Sequence, residues 1–479
     1  MTNSAKIGKA GFYLLSRKIW GAITNIFVLS VLTRLLSKED FGLIVLSTVL
    51  VEIMRVFAVS GISDYIVYSK NENVNSEISA IFWMTILLIS LVGVVLLIIT
   101  PYWVAFYDEP RLEPLILWSY ISFIFTTLSS IPYAIFRKNI EYSFPTKVQT
   151  VIDTLTKFGQ ITLAFIGFGV YSIVIPIALF GIFQTVIFYR RTRISLNCNF
   201  DFIIWKRVFK YSRSIIGAEI INKFLNEGDK ILIGKFLGKE ILGVYDIAFK
   251  LANLINSQLV PIVTNVSFPV FSKVNGDIVL MKRFFFDFIR VLSNSFLPLY
   301  TVLFLLSNSI VFFLYGEKWT DSILPLKFLI VIAALRSLSS PASGLYNAMG
   351  KPRIGFVFTA VFTSVHFCVI YLTLQVNSFL AVLIAISVTR NIGSLTHFFI
   401  LSKILHFKMS EILKLIMPNS ISLTISIIIT FLINCFIEMS EIGNFIVFFL
   451  CYIPSILVFF RGEVNWYFGT MKKMLLSKN

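Results

Sequence analysis

The sequence has few charged side chains and few of the residues that carry out chemistry in soluble enzymes. Only 14% of its 479 residues are charged, and it holds 3 His and 4 Cys. Hydrophobic residues make up 57% of the chain, and the mean hydropathy is +0.84. This composition is too apolar for a soluble protein of two or three domains. The chain is therefore predicted to be an integral membrane protein.

Several motifs of enzymes and metal sites are also missing. The sequence has no GxxxxGK[ST] phosphate loop and no GxSxG elbow, which argues against ATP hydrolysis by that route and against a serine hydrolase. The three histidines, His366, His397 and His406, lack metal-ligand spacing, and the cysteines indicate neither a disulfide framework nor a metal site. We therefore expect no catalytic residues, no metal and no cofactor in a protein that is not an enzyme.

Long apolar runs recur along the whole chain with short gaps between them. A bilayer core of about 30 Å takes about 20 apolar residues per helix. The pattern predicts an all-α membrane protein with about 14 transmembrane helices. The predicted spans are 11–33, 41–62, 78–100, 112–136, 148–167, 170–189, 214–237, 242–264, 291–315, 322–349, 354–374, 378–402, 412–437 and 442–460.

A short motif occurs twice at the same point of the hydropathy profile. The stretch LLSKEDFGL at 35–43 is similar to FLGKEILGV at 236–244. This duplication predicts two related six-helix halves that pack around a shared interface. We assign 1–189 to the N-terminal lobe, 190–213 to a basic cytoplasmic connector, 214–402 to the C-terminal lobe, and 403–479 to two additional helices and a cytoplasmic tail. Four identities, each displaced by 201 residues, relate the copies: Leu36 and Leu237, Lys38 and Lys239, Glu39 and Glu240, and Gly42 and Gly243.

Basic residues are distributed unevenly between the predicted loops. Most of the 42 Lys and Arg residues lie in one alternate set of loops and in both tails. Cytoplasmic loops carry an excess of Lys and Arg, so this asymmetry predicts cytoplasmic N- and C-termini and an even number of helices. The opposite loops hold only Arg34, Lys38, Arg111, Lys235, Lys239, Lys318 and Lys327.

Ionisable residues inside the predicted spans form two groups. In the first group, opposite charges stand three or four residues apart and share one helix face. Each such pair has two open interpretations: a structural ion pair that eases insertion, or a role in transport. The pairs are Glu52 and Arg55, Asp153 and Lys157, Glu219 and Lys223, Asp246 and Lys250, and Asp287 and Arg290.

The second group consists of Arg336 and Arg390. Each lies near the middle of its predicted span, with no acidic residue within one helical turn in the sequence. A guanidinium at that depth needs an anion from another helix or from a substrate, or it bonds to backbone carbonyls of a neighbouring helix. Because arginine binds phosphate through paired hydrogen bonds, we predict that both residues bind an anionic cargo, with Lys250 and Lys223 as further candidates.

Four stretches resemble the Wzx-type polysaccharide flippases of the superfamily that also contains the MATE exporters. The first is RLLSKEDFGLIVLSTVLVEIMRVFAVSGISDYIVYSK at 34–70. The others are IPYAIFRKNIEY at 131–142, DKILIGKFLGKEILGVYDIAFKLANL at 229–254 and YNAMGKPRIG at 346–355. The resemblance covers nearly the whole chain and identifies the family better than the cargo.

The resemblance implies a MATE-like fold in the bacterial plasma membrane, with two six-helix lobes around a V-shaped cavity and two extra C-terminal helices. It also implies a flippase for undecaprenyl-pyrophosphate-linked oligosaccharide repeat units of O-antigen, capsule or exopolysaccharide. Expected partners are this lipid-linked oligosaccharide, membrane lipids, a polysaccharide polymerase and a chain-length regulator, and no nucleic acid. The alternatives are a MATE-like drug or metabolite antiporter, a peptidoglycan-precursor flippase and a non-transporting scaffold for glycan assembly.

Overall fold

The computed structural model describes residues 3–69, 74–194, 197–436, 441–459 and Gly462. The predicted C-terminal tail therefore lies largely outside the described residues, as does the basic residue Lys70. Within these ranges the chain forms α-helices joined by short turns, and a 3-10 helix covers Glu317–Ser322. The helices are α1 (Asn3–Leu35), α2 (Lys38–Val59), α3 (Ile62–Tyr68), α4 (Val74–Tyr107), α5 (Leu112–Lys138), α6 (Ser143–Ile166), α7 (Tyr171–Thr192), α8 (Phe202–Phe236), α9 (Lys239–Ala252), α10 (Leu254–Gln258), α11 (Val260–Lys273), α12 (Ile278–Leu305), α13 (Ser307–Tyr315), α14 (Ile323–Ser339), α15 (Pro341–Ala348), α16 (Pro352–Leu374), α17 (Phe379–Ile404), α18 (Met409–Phe436) and α19 (Glu441–Phe459).

Ten helical segments among the described residues are long and apolar enough to cross a membrane, which agrees with ten of the predicted spans. They have mean hydropathies of 1.2 to 2.9. The segments are Ser16–Leu35, Lys38–Tyr68, Ser76–Tyr107, Leu112–Lys138, Tyr171–Thr192, Ile278–Leu305, Glu317–Ala348, Pro352–Leu374, Phe379–Ile404 and Met409–Cys435.

The other four predicted spans are helical but differ from uniform apolar spans. Helices α6 and α8 carry charged side chains that would be costly to expose to lipid. Both helices pack against neighbours: α6 against α1 and α7, and α8 against α2 and α4. The predicted span 242–264 is divided into α9, α10 and α11, and Pro261 stands in the first turn of α11. Because proline removes a backbone donor and clashes with the preceding turn, it does not allow one continuous helix through this point. The apolar part of α19, Gly443–Val458, is shorter than a full span.

The chain divides into two compact units. The N-terminal unit comprises Met1–Asp246 and Leu314–Gly316, and the C-terminal unit comprises Ile247–Phe313 and Glu317–Asn479. The boundary thus lies within α9 and not in the predicted connector 190–213, because α8 packs against α2, α3 and α4 of the N-terminal unit. In the C-terminal unit, α14 packs against α12 and α17, α11 against α15, and α18 against α12 and α19.

The two copies of the duplicated motif each begin a helix. Ser37 caps α2: its hydroxyl accepts from the Asp40 amide at 3.0 Å, and the Asp40 carboxylate accepts from the Ser37 amide at 3.0 Å. In the second copy, Gly238 takes a φ of +88° between α8 and α9, a conformation that favours glycine. Both turns therefore end one helix and start the next, as the repeated sequence predicts.

Gly42 and Gly243 bring these two helix starts into backbone contact. A Cβ atom on Gly42 would overlap the Lys239 carbonyl oxygen, and a Cβ atom on Gly243 would overlap the Lys38 carbonyl oxygen. Each copy of the motif thus needs glycine to accommodate the other copy. Both contacts lie within the N-terminal unit.

Alanine at either contact glycine is expected to destabilise the fold. Overpacking of a tight contact costs about 1 to 3 kcal/mol, so Gly42→Ala and Gly243→Ala should each lower the Tm of the detergent-purified protein by several degrees. Gly217→Ala is the matched control, because Gly217 lies within α8 and a Cβ there meets nothing within 4 Å. An equal Tm in all three variants would contradict the close packing of the two motifs.

Candidate functional site

Arg336 lies on an exposed polar face of α14 and α15. Its side chain is exposed, as are Ser343 and Asn347, and Ser340 is half-buried. Ser340 keeps helical dihedral angles between the two helices, so these residues follow one another at i, i+4, i+7 and i+11 on one face. An exposed polar face within the apolar segment Glu317–Ala348 indicates contact with water rather than with acyl chains. We name Arg336, Ser340, Ser343 and Asn347 the polar stripe.

The exposed apolar residues of α14 lie on a different side of the helix. Leu324 and Val331 are 49% and 44% exposed. At 3.6 residues per turn, Arg336 is rotated by about 140° from Val331 around the helix axis. The helix therefore presents an apolar side to lipid and a separate polar side that begins with Arg336.

Arg390 also lies away from the lipid-facing side of its helix. On α17 it is only 8% exposed, whereas Ile384, Val388 and Ile392 are 46%, 50% and 51% exposed. A two-residue step places Arg390 about 200° from Val388 around the axis. The side chain thus belongs to the inner face of α17, as expected for a charge that is costly to expose to hydrocarbon.

The structure brings Arg336 and Arg390 together. Helices α14 and α17 pack against each other, and the two guanidinium groups are close enough to repel one another electrostatically. Tyr300 of α12 is near Arg336 and is 2% exposed. The two arginines predicted to bind cargo therefore lie near each other within the C-terminal unit.

A buried histidine stabilises α17 beside Arg390. The Thr389 hydroxyl donates to the Ala385 carbonyl at 2.7 Å, and the His366 Nδ1 atom lies 2.6 Å from the same hydroxyl oxygen. His366 is fully buried on α16. This bond joins α16 to α17 at the residue before Arg390.

Lys223, another predicted cargo-binding residue, lies in a separate ionic group of the N-terminal unit. Its Nζ is 2.9 Å from Glu52 Oε2, and the predicted pair of Glu52 with Arg55 forms at 3.2 Å. Lys223 contacts Glu52 and not its predicted partner Glu219, because α8 packs against α2. Glu219 is exposed. Lys223 therefore compensates the Glu52 carboxylate.

Two of the remaining predicted pairs, Asp153 with Lys157 and Asp246 with Lys250, include residues that contact neighbouring helices. Asp153 accepts from Arg17 of α1 at 3.1 Å and not from Lys157, whose Nζ donates to the Gly21 carbonyl at 3.3 Å and to the Thr24 hydroxyl. These contacts explain how the polar helix α6 packs on α1.

Asp246 is similarly bound across helices. It is 1% exposed and lies 3.0 Å from Lys230 of α8, which is also 2.8 Å from Glu227. Lys250, the fourth predicted cargo-binding residue, is exposed on α9 within the C-terminal unit. The structure thus brings Arg336 and Arg390 together and places Lys223 in a different ionic group.

The sequence analysis missed the polar residues that follow Arg336 on its helix face and the tyrosine that lies near it. The polar stripe had a detectable signal, because Ser340, Ser343 and Asn347 follow Arg336 with helical spacing inside an otherwise apolar span. Tyr300 had no comparable signal, since only the packing of α12 on α14 brings it near.

Comparison with solved structures defines the class of fold. The chain superposes on a lipid II flippase MurJ in an inward closed conformation with a TM-score of 0.72 at 16% identity, covering 95% of this chain and 99% of that one. It superposes on an inward-facing MATE multidrug resistance transporter with a TM-score of 0.60 at 16% identity, covering 85% and 96% of the two chains. The protein is therefore a multi-pass membrane protein with a MATE-like helical fold.

Sequence comparison gives the family. The chain belongs to the polysaccharide biosynthesis protein family, whose model matches residues 31–324, more than half of its length. It is 25% identical to the lipopolysaccharide biosynthesis protein WzxC of Escherichia coli over 80% of each chain. It is 22% identical to the teichuronic acid biosynthesis protein TuaB of Bacillus subtilis over 73% of this chain and 72% of that one. These relatives confirm the resemblance to Wzx-type proteins.

The polar stripe predicts a specific pattern of chemical labelling. In a background without Cys198, Cys368, Cys435 and Cys451, Ser343→Cys and Asn347→Cys should react readily with a membrane-impermeant maleimide in inverted vesicles. Val331→Cys is the control, because its lipid-facing side chain should react at least about tenfold more slowly for lack of water to ionise the thiol. Equal labelling at the three positions would contradict a water-facing polar stripe.

Proposed function

We propose that this protein translocates undecaprenyl-pyrophosphate-linked oligosaccharide repeat units across the bacterial plasma membrane for the synthesis of a surface polysaccharide. The observation that carries the proposal is the adjacent placement of Arg336 and Arg390 beside the polar stripe. A pyrophosphate group has several anionic oxygens and can engage two guanidinium groups at once. Its binding would offset the repulsion between them.

The polar stripe supports the same cargo. Ser340, Ser343 and Asn347 offer hydroxyl and amide groups that can exchange hydrogen bonds with sugar hydroxyls. The phosphate-binding arginine lies at one end of these groups, so a linked phosphate and sugar could bind along one helix face. The polyprenyl chain would stay in the lipid phase, where its transfer to a polar site would cost free energy.

The family and the distribution of charge support the cellular setting. The relatives WzxC and TuaB are named for lipopolysaccharide and teichuronic acid biosynthesis, and both names concern surface glycans. The excess of Lys and Arg in one set of loops supports cytoplasmic termini. Translocation would alternate between access from each side and would draw on an ion gradient or on removal of the product by a polymerase and a chain-length regulator.

Two alternatives are distinguished by their cargo. A drug antiporter would carry cationic compounds, which the paired arginines disfavour, and a resistance assay in a pump-deleted strain tests it. The fold similarity to a lipid II flippase is the observation that favours the second alternative, a peptidoglycan-precursor flippase. That function predicts loss of viability on deletion, whereas our proposal predicts loss of one surface glycan and accumulation of its lipid-linked precursor.

Removal of either arginine should abolish surface polysaccharide. A hydrogen bond to a charged group contributes about 1.5 to 3 kcal/mol, so Arg336→Gln or Arg390→Gln should weaken cargo binding by about tenfold or more. Surface glycan and lipid-linked intermediates are measured in a complemented deletion strain, with membrane protein quantified in parallel. Arginine-to-lysine variants should partly restore the glycan because they keep the charge.

Lys327→Gln is the matched control for this experiment. Lys327 also lies on α14, but its Nζ stands 5.8 Å from the centre of the Phe304 ring and it precedes the polar stripe by more than two turns. This variant should make normal glycan. Normal glycan in both arginine-to-glutamine variants, at normal protein levels, would contradict the assignment of the cargo site.

A further inference from the structure

The duplicated motifs exchange ionic contacts as well as backbone contacts. Lys38 of the first copy lies 3.7 Å from Glu240 of the second, and Lys239 of the second copy lies 2.5 Å from Glu39 of the first. Each lysine thus contacts the glutamate that follows the equivalent lysine in the other copy. With the glycine contacts of Gly42 and Gly243, the two helix starts are joined reciprocally.

The turn between α4 and α5 adds two more charged residues to this group. Arg111 Nε lies 2.7 Å from Glu109 Oε1, and Arg111 Nη2 lies 2.5 Å from Glu39 Oε1. Lys239 also contacts Glu109. Glu109 is therefore tied to the second copy of the motif, and Arg111 to the first. We name Lys38, Glu39, Glu109, Arg111, Lys239 and Glu240 the ionic clasp.

Glu109, the most buried carboxylate of the clasp, keeps its charge over the physiological pH range. Hydrogen bonds from Arg111, with a further contribution from Lys239, lower the pKa of Glu109 to about 2. Burial opposes this effect, since Glu109 is only 5% exposed, but the cationic partners outweigh it. The Glu109 carboxylate therefore stays charged at neutral and mildly acidic pH, where it attracts Arg111 and Lys239.

Most of the clasp lies at exposed helix ends, although Glu109 itself is buried. Five of the seven Lys and Arg residues expected outside the cytoplasm lie in the turns around the clasp or in the helix ends beside them: Arg34, Lys38, Arg111, Lys235 and Lys239. The glutamates Glu39 and Glu240 remain 38% and 69% exposed at the side chain. Exposed ion pairs are individually weak and can exchange with water. Such a group can therefore separate without unfolding the apolar helices that it joins.

We propose that the ionic clasp is a latch on the extracytoplasmic side, which holds the starts of α2 and α9 together while cargo loads and must separate before cargo is released to the outer leaflet. The order of cargo loading and release rests on the proposed function, but the latch itself rests on the contacts between the two motifs. The charges are divided between the copies so that neither half can close the latch alone. The glycines allow the approach, and the ion pairs maintain it.

Distance measurement tests the latch without any cargo. Spin labels on Ser37→Cys and Ile241→Cys, in the full chain without its four native cysteines, report the separation of the two turns by pulsed electron resonance in lipid nanodiscs. We expect one short distance with the clasp intact. Charge reversal by Lys239→Glu, which places three carboxylates together, should raise a longer-distance population at least about fivefold. An unchanged distance distribution would overturn the latch.

A charge-exchange pair provides the matched control. Lys38→Glu alone should favour the separated state, and adding Glu240→Lys should restore the short distance, since the pair then has its charges reversed but still opposite. If the single and double variants gave the same distribution, the Lys38–Glu240 contact would have no latching role. The folding of every variant is checked by its elution as a single monodisperse species.

Reversible cross-linking then connects the latch to transport. Lys38→Cys and Glu240→Cys, oxidised to a disulfide, should stop the appearance of surface glycan and cause lipid-linked precursor to accumulate; a reductant should restore it. Asp64→Cys with Arg137→Cys is the control, because these residues pair at 3.3 Å within one repeat and their cross-link leaves the clasp free.

The outcomes separate the latch from the proposed function. Normal glycan from the oxidised Lys38→Cys/Glu240→Cys protein would overturn the latch and leave the proposed function intact. A deletion strain with normal glycan would contradict the proposed function, whereas the spin-label distances would still decide whether the two motifs form a separable latch.

Discussion

The cost of placing a positive charge in the hydrocarbon zone constrains this structure more than any other interaction. A charged side chain at a helix centre costs about 2.5 to 3.5 kcal/mol on insertion scales. Arg336 and Arg390 meet this constraint by lying away from the exposed apolar sides of α14 and α17. In the function that we propose, a bound phosphate would reduce the repulsion between these two neighbouring positive charges.

The same constraint explains the packing of the polar helices. Helices α6 and α8 are too polar to face lipid on all sides, and their charges contact neighbouring helices: Asp153 binds Arg17, and Lys223 binds Glu52. These contacts join α1 to α6 and α2 to α8 within the N-terminal unit. Ion pairs in this part of the chain therefore position helices, whereas we propose that the two neighbouring arginines of the C-terminal unit bind an anion.

Much of the architecture could be predicted from the sequence because bilayer thickness and helix geometry fix the length of an apolar span. The duplicated motif predicted two related halves, but the direct contact between its two copies became visible only in the structure. Ion-pair partners were less predictable. The rule that residues three or four apart share a face describes one isolated helix, but long side chains such as Lys223 reach an adjacent helix when the packing favours it. Tertiary packing also moved the boundary of the compact units to Asp246, far from the basic connector.

We propose that two neighbouring guanidinium groups bind the pyrophosphate of a lipid-linked oligosaccharide during its translocation. The most direct measurement is the rate at which purified protein in proteoliposomes moves undecaprenyl-pyrophosphate-linked oligosaccharide between leaflets. The unmodified protein should translocate the oligosaccharide, and the double variant Arg336→Gln/Arg390→Gln should give the same rate as protein-free liposomes. Translocation by the folded double variant at the unmodified rate would contradict cargo binding by the two arginines.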